Sequence, residues 1–278
     1  MDPASRKSTA ISLYIHVVRA FALIMVGVFP VMSSLHTQES VFSRRHVPSW
    51  LLLAFAAGAV NAITFVACSR FVTHVTGSVS NIGMGAGQLA FEGSVLLGCF
   101  IAGAMTSAIL IDGRHHRGKK PLHAVPLLLT SLLLALVGML GVSGAFGPFN
   151  SEVDGPRDFV FLSVLAFAMG LQNASVATST GLIVRTTHMT GAATDLGVHL
   201  ASALYAGGEA RRLAVRHAGL RAGKIAAFVV GGVAGAGLAI KFASGAFFVP
   251  ALLVGGAAVM SFVNVDAPTT NRERQLTP

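Results

Sequence analysis

Charge is scarce in this chain. Asp, Glu, Lys and Arg together make up 11% of its 278 residues, less than half the roughly 25% of a soluble domain. So small a supply cannot cover a water-facing surface, which excludes an ordinary soluble fold. Cysteine is nearly absent: Cys68 and Cys99 both lie in apolar stretches and no CxxC spacing exists, so neither a disulfide framework nor a cysteine zinc site is expected. The alternating pattern of a membrane barrel strand is missing as well. So is a basic face interleaved with aromatics. The net charge of +9 therefore does not read as a nucleic-acid binder.

What the chain has is apolar runs. Hydrophobic residues make up 53% of it and the mean hydropathy is +0.71. Six stretches approach the ~20 residues that cross a hydrocarbon core: Ser49–Ala67, Ser94–Ile111, Leu122–Ala145, Phe159–Thr178, Ile225–Ile240 and Ala246–Val263. Lipid tolerates apolar side chains but not unpaired backbone, so these are expected to be helices. The fold class is thus an all-α, polytopic transmembrane bundle. Gly77–Phe91 and Gly191–Ala206 are helical in pattern but short and studded with Gly and polar residues, and are expected as half-helices.

The basic residues fall between the apolar runs. Gly113–Lys120 holds Arg114, Arg117, Lys119 and Lys120; Gly207–Lys224, read as a loop, holds Arg211, Arg212, Arg216, Arg221 and Lys224; Arg44 and Arg45 precede the first span. Phe146–Asp158 carries Glu152, Asp154 and Asp158 against Arg157. The positive-inside rule puts the three basic regions in the cytoplasm and the acidic loop outside, provided the two short helices do not cross. Residues 1–48 form an extension whose apolar segment Ala10–Met32 leaves its topology open. Residues 49–145 and 158–263 form two transmembrane units, 146–157 an external loop and 264–278 a polar tail.

The two units share a pattern. Phe55-Ala-Ala-Gly-Ala-Val-Asn61-Ala reappears as Phe167-Ala-Met-Gly-Leu-Gln-Asn173-Ala, and Thr73-His74-Val-Thr76-Gly77 as Thr187-His188-Met-Thr190-Gly191. The first pair of blocks stands 112 residues apart and the second 114. An internal duplication explains two blocks in one order at nearly one offset. With three crossings per unit the second copy is inverted, an arrangement that recurs in transporters with broken helices. The loop charges favour inversion.

Polar groups inside such a bundle are expensive and call for a reason. Thr76 and Thr190 sit where helices restart, either as caps alone or, with Gly77 and Gly191, as contacts to a solute drawn by the helix N-termini. His74 and His188 are equivalent candidates for binding solute or protons; no local Cys or carboxylate completes a metal set, so no metal and no cofactor is expected. Asp195 stands four residues before His199, either as a proton-coupling pair or as a surface salt bridge. Asn61, Asn173 and Asn81 are read as structural polar residues, the first two satisfying backbone carbonyls freed at the breaks. Gly83, Gly85 and Gly87, and the Gly231–Gly237 run, are read as close helix packing.

At these blocks, from Leu51 to Val263, the sequence resembles the YoaK-type bacterial membrane proteins, also called DUF1275 or UPF0700. The residues that carry the resemblance are Gly58–Ala62, Thr76-Gly77, Phe167–Ala174, Thr186–Gly191 and Asp195–Gly197. It implies a multi-pass protein of the bacterial cytoplasmic (inner) membrane, described as a small permease without an assigned substrate. Members often have Asp where this chain has Asn61, and Asn where it has Ser78, so an ion-coupling role at the first position would have moved to Asp195. The expected function is transport of an unidentified small solute, not catalysis. The partners are the lipid bilayer and that solute, with no nucleic acid; a homo-oligomer is compatible with the sequence. The alternatives are an intramembrane enzyme using His74, His188 and Asp195, and a non-catalytic scaffold or sensor.

Overall fold

A computed structural model of the chain describes residues 35–85, 87–150 and 155–263. The expectations for Ala10–Met32, Glu152, Asp154 and the 264–278 tail lie outside them. All regular structure among the described residues is helical: α1 Gln38–Val41, α2 Val47–Cys68, α3 Val75–Gly83, α4 Gln88–Ala108, α5 Val125–Val142, α6 Pro156–Ser179, α7 Met189–Tyr205, α8 Gly208–Phe242 and α9 Phe248–Ala258. A π turn, Ile109–Gly113, carries α4 on to His116. Pro48, Pro126 and Pro156 open α2, α5 and α6 in the first turn, where a missing N–H costs nothing. Five stretches are long and apolar enough to cross a membrane: Val47–Cys68, Gln88–His116, Val125–Val142, Pro156–Ser179 and Gly208–Ala258.

The fifth stretch reverses at Ala243, where φ is 48°, so α8 and α9 are separate legs. Leg directions follow from contacts. Along α2, Leu51 faces Gly223, Phe55 faces Gly231 and Ala59 faces Gly235 of α8, so α2 and α8 run parallel. Phe91 meets Phe159, and Gly103 meets Phe167 and Leu171, so α4 and α6 also run parallel. Just before α9, Ser244 lies near Cys68, and just after it Phe262 packs against Trp50, which makes α9 antiparallel to α2. Ser131 Oγ of α5 donates to Ala251 O and Gly141 of α5 faces Ser244, so α5 is antiparallel to α9. Thr130 Oγ1 donates to Ala168 O, and Ser175 Oγ to His123 O, so α6 is antiparallel to α5. Hence α2, α5 and α8 point one way, and α4, α6 and α9 the other.

Glycine makes the two parallel pairs possible. A Cβ on Gly58 would overlap the Phe228 carbonyl, and one on Gly231 the Phe55 carbonyl; Gly170 stands in the same relation to Phe100, and Gly103 to Phe167. Without a strong hydrophobic drive between helices in lipid, backbone-to-backbone approach of this kind supplies the packing. The α2–α8 contacts thus mirror those of α6 with α4. The Gly231–Gly235 part of the glycine run packs as expected. Gly83, Gly85 and Gly87 do not. Nothing stands within 4 Å of a Cβ on any of them, and Gly85 and Gly87 have φ of +118° and +115°; they turn the chain from α3 into α4.

Two further boundaries differ from expectation. The first short helix ends at Gly83, and residues 88–91 already belong to α4. The basic segment 208–224 is no loop but the first four turns of α8, because its charges space out along one helix. Arg211, Arg212 and Arg216 are exposed, whereas Arg221 and Lys224 are buried.

Charge separates the two ends of the bundle. Leu35 N–H and His36 N–H donate to Ser179 O, and Arg216 lies over the Phe42 ring. The ends of α4 and α6 and the starts of α2, α5 and α8 therefore share one pole, which carries Arg44, Arg45, Arg114, Arg117, Lys119, Lys120, Arg211, Arg212 and Arg216. Among the described residues, the opposite pole carries only Arg70, Arg157 and Lys241, with Glu92 and Asp158.

Candidate functional site

Each broken segment folds back to the depth of an asparagine. Asn61 stands two turns before the end of α2, about 10 Å inward by helix rise. Its Oδ1 accepts from Val72 N–H at 3.2 Å and Thr73 N–H at 3.1 Å. Asn173 Oδ1 accepts from Thr187 N–H at 3.2 Å. The asparagines therefore hold the breaks through amides rather than carbonyls, which corrects the sequence reading. From that depth α3 returns toward the pole it came from. Gly93 near the start of α4 faces Ser78 and Ile82. α7 returns toward the basic pole, with Asp195 beside Arg221 and His199 beside His217. Neither helix is among the stretches long and apolar enough to cross a membrane; α3 and α7 are short helices that point opposite ways with their N-termini inside the bundle.

Those N-termini meet. A cavity of about 330 Å³ is lined by Asn61, Thr73, His74 and Thr76 from one break and by Asn173, Thr187, His188 and Thr190 from the other, with Phe71, Phe100 and Phe228 alongside. Six of the predicted residues are thus brought together: Asn61, Asn173, His74, His188, Thr76 and Thr190. Their roles differ in detail from expectation. The N-cap positions are His74 and His188, neither helix is closed by a side-chain cap bond, and Thr76 and Thr190 occupy the first turn. Neither amide end carries a side-chain cap, although Met189 N–H at the start of α7 donates to Thr187 O at 3.1 Å.

Gly77 and Gly191 do not line this cavity. A Cβ on Gly77 would stand 2.5 Å from His74 Nδ1 and 2.8 Å from Cε1, and one on Gly191 would collide with Cδ2 and Nε2 of His188. The glycines are seats on which the histidine rings lie, not contacts for a solute. Each ring is also a shared wall. His74 and Phe71 line a second cavity of about 280 Å³ with Arg70, Gly77, Asn81 and Glu92. His188 lines a third of about 250 Å³ with Arg185, Gly191, Asp195, Arg221 and Lys224. The central cavity thus shares His74 and Phe71 with the second cavity and His188 with the third, which lie toward opposite poles.

Asp195 does not pair with His199. Its Oδ2 accepts from Arg221 Nε at 3.1 Å, its side chain is 49% exposed, and His199 stacks near His217 with ring centroids 4.8 Å apart. Asp195 lines the third cavity and not the central one. Two residues escaped the sequence reading. Glu92 is 2% exposed, accepts from Arg70 Nε at 2.6 Å, and leaves Oε2 without a partner among the described residues. Its signal was available: a lone acid in an apolar run. Lys224 is buried, and its Nζ donates to Arg185 O at 2.6 Å, satisfying backbone freed at the second break. Nothing in its sequence distinguishes it from the other basic residues of the segment. Among the described residues no three His, Cys, Asp or Glu side chains come together.

Apolar legs of membrane length, two inward half-helices and a polar cavity at their meeting point define a multi-pass helical membrane protein. The chain belongs to the family described as "Protein of unknown function (DUF1275)", whose model matches residues 49–260. No curated protein and no solved structure matches the chain.

Proposed function

We propose that the protein is a permease that binds a small solute in the central cavity and passes it between the two outer cavities. The observation that carries this reading is that the central cavity shares His74 with the second cavity and His188 with the third. A scaffold needs no such path, and polar lining buried in a membrane is costly unless something uses it. The opposite directions of α2 and α6 and the mirrored α2–α8 and α6–α4 contacts support two inverted repeats. Rocking one repeat against the other would open the cavity to one pole at a time. The basic pole faces the cytoplasm by the positive-inside rule, in a bacterial inner membrane, and a substrate carrier rather than a catalyst is the reading.

The test is substituted-cysteine accessibility in a chain with Cys68→Ala and Cys99→Ala. Thr76→Cys and Thr190→Cys should each react with a membrane-impermeant thiol reagent applied from either side. A buried position facing a sealed core would react from neither, and that outcome removes the permease reading.

A further inference from the structure

We infer that the solute is a small organic anion whose carboxylate or other oxyanion group lies between the two half-helix ends. The inference rests on the permease reading of the central cavity and adds the substrate class. α3 has 9 residues and α7 has 17, and neither has a side-chain cap bond at its N-terminus. Two positive dipole ends therefore converge on one space. Thr73 and Thr187 supply an independent sign. Both are 8% exposed, both line the cavity, and the hydroxyl of neither makes a hydrogen bond among the described residues. Their backbone amides are held by Asn61 and Asn173, which anchors both residues at the cavity wall. Both residues line the cavity, and each hydroxyl is free to donate to an oxyanion lying between the two helix ends.

The lining decides the sign of the charge. No Asp or Glu lines the central cavity among the described residues, so a cation would meet two positive helix ends and no counter-charge. The cavity toward the basic pole carries Arg185, Arg221 and Lys224 against Asp195, which raises the local concentration of anions at that entrance. Phe71, Phe100 and Phe228 form the apolar side of the central cavity and would face the hydrocarbon body of the solute. A volume of about 330 Å³ falls at the small end of ligand sites.

Calorimetric titration of the full chain in lipid nanodiscs tests this with matched probes: formate, acetate and benzoate, their amides, and the cations acetamidinium and benzamidinium. Carboxylates should bind at least tenfold tighter than the amides of the same shape, and the amidinium ions should not bind. Thr73→Val with Thr187→Val should weaken carboxylate binding tenfold or more, while Thr73→Ser with Thr187→Ser should keep it. Equal or tighter binding of amides or amidinium ions, or no carboxylate binding, overturns the anion class. Either result leaves the accessibility of Thr76 and Thr190 from two sides untouched, so failure of the substrate class and failure of the permease reading are separable.

Discussion

The ring of His188 lies directly on the α-carbon of Gly191, three residues on, and His74 lies in the same way on Gly77. Each glycine gives its histidine a place to rest against the first helical turn, where the ring separates the central cavity from an outer one. Ring and seat form a single device, present twice.

A methyl group on either seat should dislodge the ring. Gly77→Ala and Gly191→Ala are each expected to lower stability by about 1–3 kcal/mol, the usual cost of overpacking. They should also raise the reactivity of Thr76→Cys or Thr190→Cys from the matching side. Gly197→Ala, where a Cβ meets nothing within 4 Å, should be neutral or stabilising by up to ~1 kcal/mol. Thermal unfolding in detergent compares the three.

Backbone-to-backbone contact makes the helix-crossing glycines less tolerant. Gly58→Ala pushes a methyl into the Phe228 carbonyl and Gly170→Ala into that of Phe100, and main chain cannot rotate away as a side chain can. Each should cost about 3 kcal/mol, against no loss for Gly98→Ala, which faces open space. Unfolding midpoints of the purified variants check this.

The two ion pairs should differ in worth. Arg70→Ala leaves Glu92, with a side chain 3% exposed, buried and uncompensated, a loss of about 3 kcal/mol or more. Asp195→Asn removes an acid that is half in solvent and leaves the buried Arg221 facing a neutral amide that can still accept its hydrogen bond, so it should cost less than Arg70→Ala. Denaturation of the two variants under one condition decides the ranking.

Acid should weaken the basic pole through His123, which lies just before α5. Burial, helped by the nearby charge of His115, lowers its pKa from 6.5 to about 4; Nδ1 lies 3.1 Å from Ser179 Oγ. A folded pKa below the unfolded one means that folding favours the neutral ring. Its stabilisation is present above pH 6.5 and is lost as pH falls toward 4. His123→Gln should flatten the stability curve across that window, measured by melting temperature against pH.

Much of this architecture was legible in the sequence, and the reason is periodic. The THxTG blocks mark where an apolar run must break, and breaks inside a membrane have to be satisfied locally. Asn61 and Asn173, 12 and 14 residues before those blocks, were found by the same comparison. Boundaries were less legible where charge and helix coincide. Arg211 to Lys224 looks like a loop by composition, yet the residues fall on a helix whose exposed side carries Arg212 and Arg216 and whose buried side carries Arg221 and Lys224. The role of Gly77 and Gly191 was hidden for another reason: a glycine that seats a ring and one that admits a ligand read alike without the ring's position. The bond partner of Asp195 was hidden because Arg221, 26 residues on, is nearer in space than His199, four residues on.

Sidedness of the two half-helix tips is the most direct test of the account. Met84, 75% exposed at the end of α3, and Tyr205, 90% exposed at the end of α7, are replaced singly by cysteine in the chain with Cys68→Ala and Cys99→Ala. Intact cells and inverted vesicles are then treated with an impermeant maleimide. The account predicts that Met84→Cys labels in cells and Tyr205→Cys only in inverted vesicles. Labelling of both tips from the same side would contradict half-helices that enter the membrane from opposite faces.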